Sequence, residues 1–164
     1  MKTLILLRHA KSSWDHPGLS DFERPLNARG LKNAPKMGRR LAQRQLPIEQ
    51  IISSPAKRAL TTANIVAEQL QYPLSDIQQD AQIYEASVGD LMAVVQKFDD
   101  QLSCIMLVGH NPGLTSLSYY LTAYQVNNMP TCSLFCAEFD SERWENIHPA
   151  SGQMTFFDYP KKIA

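Results

Sequence analysis

Two stretches of this chain place a histidine just beyond an apolar run. Arg8-His9 follows Leu4-Ile5-Leu6-Leu7, and Gly109-His110 follows Ile105-Met106-Leu107-Val108. In a third, Ser53-Ser54-Pro55 follows Ile51-Ile52 and opens a segment that begins with Ala56, Lys57 and Arg58. Apolar runs this short fit strands buried on both faces of a parallel sheet, and ligands of such sheets bind beyond the carboxyl ends of the strands. If the three strands are neighbours, two histidines and two arginines converge on one crevice, where helix N-termini add backbone donors and positive dipole ends. That is an anion site, and a phosphoryl group is its natural guest. Guanidinium charge disfavours protonated imidazole, so a ring nitrogen stays free to attack phosphorus. The arginine forks hold the equatorial oxygens and neutralise charge that develops in the transition state. The second histidine can donate a hydrogen bond to those oxygens, and an acid for the leaving group completes the set.

The elements that must position these groups are legible in outline. Thr3–Leu7 reads as a first strand and residues 12–30, with Pro17, Gly18, Pro25 and Gly30, as a loop. A helix runs through Met37, Leu41 and Ala42. Asn33 suits its cap with Pro35 in the first turn, because a start at Asn27 would leave Pro35 to kink it. Ile48–Ser53 reads as a second strand, and Ala56–Leu70 as a helix on the spacing of Ala59, Ala63, Val66, Ala67 and Leu70. A short strand near Ile83, a helix over Leu91–Phe98, a buried strand over Cys104–Val108 and a helix over Leu114–Leu121 follow. Cys132–Phe139 is a fourth principal strand and Met154–Asp158 a weaker fifth. The alternation predicts one α/β domain over residues 1–164, a three-layer α/β/α sandwich around a mainly parallel sheet.

Composition narrows the classes. The 164 residues are 44% apolar, enough for a core, and 16 basic side chains balance 16 acidic ones. The balance hides a split: residues 1–62 carry 12 basic and 4 acidic side chains, and residues 63–164 carry 4 and 12. Neutrality argues against a nucleic-acid or membrane-surface binder. Cys104, Cys132 and Cys136 lack metal-ligand spacing and read as reduced, buried thiols, which suits the cytoplasm. No run approaches the ~18 apolar residues of a membrane span.

The motifs together resemble a family. Arg8-His9-Ala10 resembles the RHG motif of the histidine phosphatase superfamily, whose fold is phosphoglycerate-mutase-like. Ser53-Ser54-Pro55-Ala56-Lys57-Arg58-Ala59-Leu60-Thr61-Thr62-Ala63 resembles its second motif, SSPxxRAxQTA, and Gly109-His110 its late SH/GH motif. Asp21-Phe22-Glu23-Arg24-Pro25-Leu26 with Gly30, and the run Gly109-His110-Asn111-Pro112-Gly113, are similar to segments of the small SixA-type phosphohistidine phosphatases. The pattern departs at Ala10, where the family has Gly, and at Thr61, where it has Gln. The resemblance extends from Thr3 to about Asp158.

The resemblance implies a metal-independent phosphatase without cofactor. In it His9 is the nucleophile that becomes phosphorylated, Arg8, Arg58 and Arg24 bind the phosphoryl group, and His110 stabilises the group in transfer. Ile83-Tyr84-Glu85 with Gly89 and Leu91 resembles the stretch that supplies the acid in the mutase branch, which makes Glu85 a candidate acid. SixA-type enzymes are understood to manage without a strong acid. The implied substrate is phosphohistidine on a phosphorylated protein, such as a histidine phosphotransfer domain. The alternatives are a phosphatase for small phosphomonoesters with Glu85 as acid, and a phosphate-binding module without turnover.

Other polar residues carry plainer expectations. Arg24 can pair with Asp21, and Lys11, Ser12 and Ser13 read as solvated loop. His16 and His148 read as surface residues, and Trp14 as either a rim contact or a cover over a hydrophobic pocket. Lys32, Lys36, Arg39, Arg40 and Arg44 read as the solvated face of a basic helix, available to an acidic partner.

Overall fold

A computed structural model describes residues 1–163. Six strands form one sheet: β1 (Lys2–Arg8), β2 (Gln50–Ser53), β3 (Gln78–Gln79), β4 (Cys104–Gly109), β5 (Leu134–Phe139) and β6 (Gly152–Asp158), in the order β3-β2-β4-β1-β5-β6. The pairings β2–β3, β2–β4 and β1–β4 are parallel, whereas β1–β5 and β5–β6 are antiparallel. Four helices cover the sheet: α1 (Ala28–Gln43), α2 (Lys57–Leu70), α3 (Val88–Gln96) and α4 (Gly113–Thr122).

The continuous apolar run in β1 has a simple cause. Side chains alternate between faces, so Ile5 and Leu7 pack with Met37, Leu41, Ala63 and Val66 of α1 and α2. Leu4 and Leu6 pack on the other face with Leu91, Val95, Leu114 and Leu117 of α3 and α4. All four β1 side chains are at most 1% exposed, and each contributes about 1.5–3 kcal/mol of burial. This double cover makes the carboxyl ends of β2, β4 and β1 a fixed platform.

Several boundaries differ from the sequence expectation. Helix α1 starts after Asn27, whose side chain accepts from Gly30 N at 2.9 Å, and it continues through Pro35. The early start wins because one stripe of the helix (Gly30, Ala34, Met37, Gly38 and Leu41) is buried together. Pro35 removes only one donor, and it faces the carbonyl of exposed Leu31, which water can satisfy. The expected strand near Ile83 is instead a single 3-10 turn, Ala81–Ile83. The pairing with β2 is made by Gln78–Gln79, an edge whose exposed polar side chains give no apolar pattern. Helix α3 begins at Val88 rather than Leu91, because Ser87 and Asp90 form a reciprocal capping box.

The basic helix is not merely a solvated face. Arg40 pairs with Asp158 at 2.9 Å and Lys36 donates to the Pro160 carbonyl at 2.7 Å. The Arg44 guanidinium lies 3.6 Å from the centre of the Phe156 ring. Three of the five cations thus hold β6 and the segment after it. Ser12 and Ser13 are likewise buried, not solvated.

Gly30 ties α1 to the loop after His9. A Cβ there would lie 2.2 Å from the Lys11 carbonyl oxygen. Alanine offers about 1 kcal/mol of helix propensity, but it must displace backbone two residues from His9. Gly30→Ala is therefore expected to destabilise by about 2 kcal/mol or more, seen as a lower urea midpoint.

Candidate active site

The register of the parallel strands assembles the site. Arg8 pairs with Gly109 and Ser53 with Val108, so His9, His110 and Ser54 leave three adjacent strand ends together. The His9 amide donates to the Gly109 carbonyl at 3.0 Å, and the Ser54 amide to the Val108 carbonyl at 3.0 Å. The two imidazole centres are 5.1 Å apart. Arg58 enters from the first turn of α2, a turn without acidic residues.

His9 is 7% exposed, and its Nδ1 lies 2.7 Å from the Ala10 carbonyl oxygen. A carbonyl can only accept, so Nδ1 carries the proton and Nε2 keeps its lone pair. Burial pushes the His9 pKa down to about 3, with help from His110, Arg58 and Arg8 and against the bond to Ala10. Burial, then Arg58, pushes His110 down to about 4. Both rings are therefore neutral at pH 7.

Around them lie three arginines. Arg8 donates through Nη1 to the Met129 carbonyl at 2.8 Å, while its Nε is buried without a partner. His110 Nε2 lies 2.8 Å from Ser54 Oγ, while its Nδ1 is also buried without a partner. Two buried polar atoms without a partner among the described residues, on Arg8 and on the residue after its strand partner Gly109, suit an added anion. Arg58 binds Asp21 twice, at the carbonyl (2.7 Å) and at Oδ2 (3.0 Å). Arg24 uses Nε on the Ser13 carbonyl, Nη1 on Asp21 and Nη2 on Ser12 Oγ, and its guanidinium stacks 3.3 Å from the centre of the exposed Trp14 ring.

The sequence did not single out Asp21 and Tyr84 as hubs. Asp21 accepts from Arg24, from Arg58 and from the Tyr84 hydroxyl at 2.6 Å. Those bonds, Tyr84's foremost, hold its carboxyl near 2. Tyr84 is raised to about 12 by burial and by the Asp21 and Glu85 carboxylates, and its ring meets the edges of Phe22 and His110. Glu85 itself is exposed at the rim with φ 53°. Tyr84's signal in the sequence was only its place beside Glu85, and Asp21's was its place three residues before Arg24. His16 and His148 are exposed. Among the described residues, no group of three or more His, Cys, Asp or Glu is arranged to hold a metal ion, and no helix is long and apolar enough to cross a membrane. The three cysteines are free and buried.

The model of the histidine phosphatase superfamily (branch 1) matches residues 4–101, which carry Arg8-His9, Arg58 and Glu85. The chain belongs to the histidine phosphatase superfamily. Like the superfamily's phosphatases, it is a hydrolase of phosphoryl groups. Its structure is similar to that of SixA from Agrobacterium tumefaciens, with TM-score 0.83, 25% identity, and coverage of 97% of this chain and 98% of that one. It is also similar in fold to a protein histidine phosphatase SixA complexed with tungstate, with TM-score 0.81, 22% identity, and coverage of 96% and 97%. Among curated proteins, an uncharacterized chloroplastic protein of Arabidopsis thaliana is 28% identical over 92% of this chain and 72% of its own length. A 2,3-bisphosphoglycerate-dependent phosphoglycerate mutase of Thermobifida fusca is 32% identical over 56% of this chain and 38% of its own.

In this histidine phosphatase the candidate site carries a stability signature. Both histidines have folded pKa values below the ordinary 6.5. As pH falls, the unfolded chain takes up these protons first. Their contribution is thus complete above pH 6.5 and is lost as pH falls toward about 4 for His110 and about 3 for His9. The loss should approach about 1.4 kcal/mol per pH unit for each ring. Urea midpoints are expected to drop clearly between pH 7 and pH 5, and by less in His9→Asn. An unchanged wild-type midpoint would contradict the neutral burial of these rings.

Proposed function

We propose that the protein removes phosphate from phosphohistidine on another protein through a covalent phospho-His9 intermediate. The bond from His9 Nδ1 to the Ala10 carbonyl carries this proposal, because it leaves Nε2 as the ring's nucleophile. Nε2 attacks the phosphorus of a phosphohistidine that is protonated on its other ring nitrogen, the bond from phosphorus to the leaving nitrogen breaks, and its electron pair stays on the departing ring, which leaves as neutral imidazole. The phosphorylated His9 ring, still protonated at Nδ1, is cationic, and the Ala10 carbonyl stabilises it. Water then attacks phosphorus, the bond to Nε2 breaks, and neutral His9 returns with release of phosphate. Arg8 and Arg58 bind the phosphoryl oxygens, and His110 donates to them from Nδ1. Arg24 supports the site through Asp21, which it holds, and through the two N–H groups it has left.

The nearby carboxylate favours this substrate class. Asp21 is held ionised, near 2, and cannot serve as an acid at neutral pH. Transfer between two imidazoles needs no acid from the enzyme when the substrate ring is protonated on its other nitrogen, since the entering and leaving groups are then both neutral imidazoles. An alkyl phosphate expels an alkoxide and does need one. The similarity to SixA supports the same class.

The second reading, a phosphomonoester phosphatase, rests on Glu85, whose carboxylate lies near enough to help raise Tyr84. Purified protein given a phosphorylated histidine phosphotransfer domain and a panel of alkyl phosphates separates the two. Phosphohistidine should be preferred by about 10²-fold or more in kcat/KM, Glu85→Gln should leave that rate unchanged, and EDTA should not reduce it. Preference for an alkyl phosphate, lost in Glu85→Gln, would establish the second reading instead.

A further inference from the structure

The geometry points to Ser54 as a positioning residue that fixes the tautomer of His110, so that the ring presents an N–H to the phosphoryl group. Ser54 is fully buried where β2 turns into α2. Its Oγ accepts from the Ala56 amide at 3.2 Å and lies 2.8 Å from His110 Nε2. A hydroxyl has one proton to give. The Ser54 carbonyl is taken by the Ser53 hydroxyl at 2.8 Å, and Nε2 is the acceptor that Ser54 Oγ reaches.

Two arrangements can be drawn for neutral His110. With the proton on Nε2, the ring donates to Ser54, and the Ser54 hydroxyl hydrogen is buried without an acceptor. Nδ1 then presents a lone pair, which would repel an anion, on a ring that lies 5.1 Å from His9 and within the field of Arg58 and Arg8. With the proton on Nδ1, the Ser54 hydroxyl donates to Nε2 and every Ser54 group is satisfied. The buried Nδ1, which has no partner among the described residues, becomes a donor. The second arrangement satisfies Ser54 and His110 Nε2, and the donor it leaves open at Nδ1 is what an anion needs. His9 and His110 are then complementary: one ring offers a lone pair at Nε2, the other a proton at Nδ1. Ser54 thus acts on the reaction through His110, without touching the substrate.

This inference uses the proposed role of His110, but its first test does not depend on turnover. Long-range ¹H–¹⁵N correlation spectra of the wild-type protein at pH 7 should show His110 protonated at Nδ1 and not at Nε2. Observation of the Nε2–H tautomer would overturn the assignment even if the protein proves an active phosphatase. If the tautomer is as expected but no phosphohistidine substrate is hydrolysed, the function fails and the assignment stands. Ser54→Ala should give a mixture of tautomers, a roughly tenfold loss of tungstate affinity and a 10- to 100-fold loss of kcat. Ser54→Thr, which keeps the hydroxyl, should restore the Nδ1–H signal and most of the rate. A Ser54→Ala protein that keeps the wild-type tautomer and rate would also overturn the proposal.

Discussion

His9→Asn is expected to lose turnover by on the order of 10⁴-fold or more while still binding oxyanions. Asparagine is the informative replacement. Its amide nitrogen can stand close to the position of Nδ1 and keep the bond to the Ala10 carbonyl, so the loop after β1 is retained. What disappears is the Nε2 lone pair. Arg8, Arg58 and His110 remain, so tungstate titrated calorimetrically should bind within a few-fold of wild type. Retained turnover would remove His9 from the chemistry. Lost turnover with lost tungstate binding would show only that the pocket had collapsed.

Arg58 should give the second largest effect, and two replacements divide it into charge and geometry. Arg58 is 7% exposed, and its fork spans the Asp21 carbonyl and carboxylate. Arg58→Lys keeps the charge but loses the fork, and is expected to lower kcat/KM by about 10²- to 10³-fold. Arg58→Ala should lose more, and it should also change the pH profile. Arg58 is among the charges that hold His9 and His110 below their ordinary values. Without it both values rise, so the acid limb of kcat/KM should move toward neutral pH in Arg58→Ala and stay in place in Arg58→Lys. Profiles that shift in neither variant would mean that burial alone keeps the rings neutral.

The parts legible in the sequence were those whose cause is local. The apolar run Leu4–Leu7 marks a strand covered on both faces, and Arg8-His9 at its end marks the site. His110 and Arg58 follow by the same logic, and the strand order β2-β4-β1 brings them together as that logic requires. Contacts between distant segments were not legible. Arg40 looks like one more surface cation until Asp158, 118 residues away, is beside it. Asp21 looks like a loop residue until Arg58 and Tyr84 arrive from two other segments. Pro35 misled for a related reason: its local cost is plain in the sequence, whereas the buried stripe that outweighs it depends on the fold. Gln78–Gln79 pairs at an edge, where apolar periodicity has nothing to report.

The charge split between the two halves takes on a structural meaning. Arg8 and Arg58 are drawn to the site, Arg24 holds Asp21 beside it, and Lys36 and Arg40 hold the C-terminal segment. Five of the twelve basic residues of that half thus serve two tasks, lining the candidate anion site and holding the sheet edge.

The most direct test of the account is to trap the phosphoenzyme. Protein mixed with a ³²P-phosphorylated histidine phosphotransfer domain and quenched within one turnover should carry label that is stable to alkali, labile to acid and mapped to His9. His9→Asn should carry none. Label on another residue, or complete single-turnover hydrolysis with no label on the enzyme at any time, would contradict it.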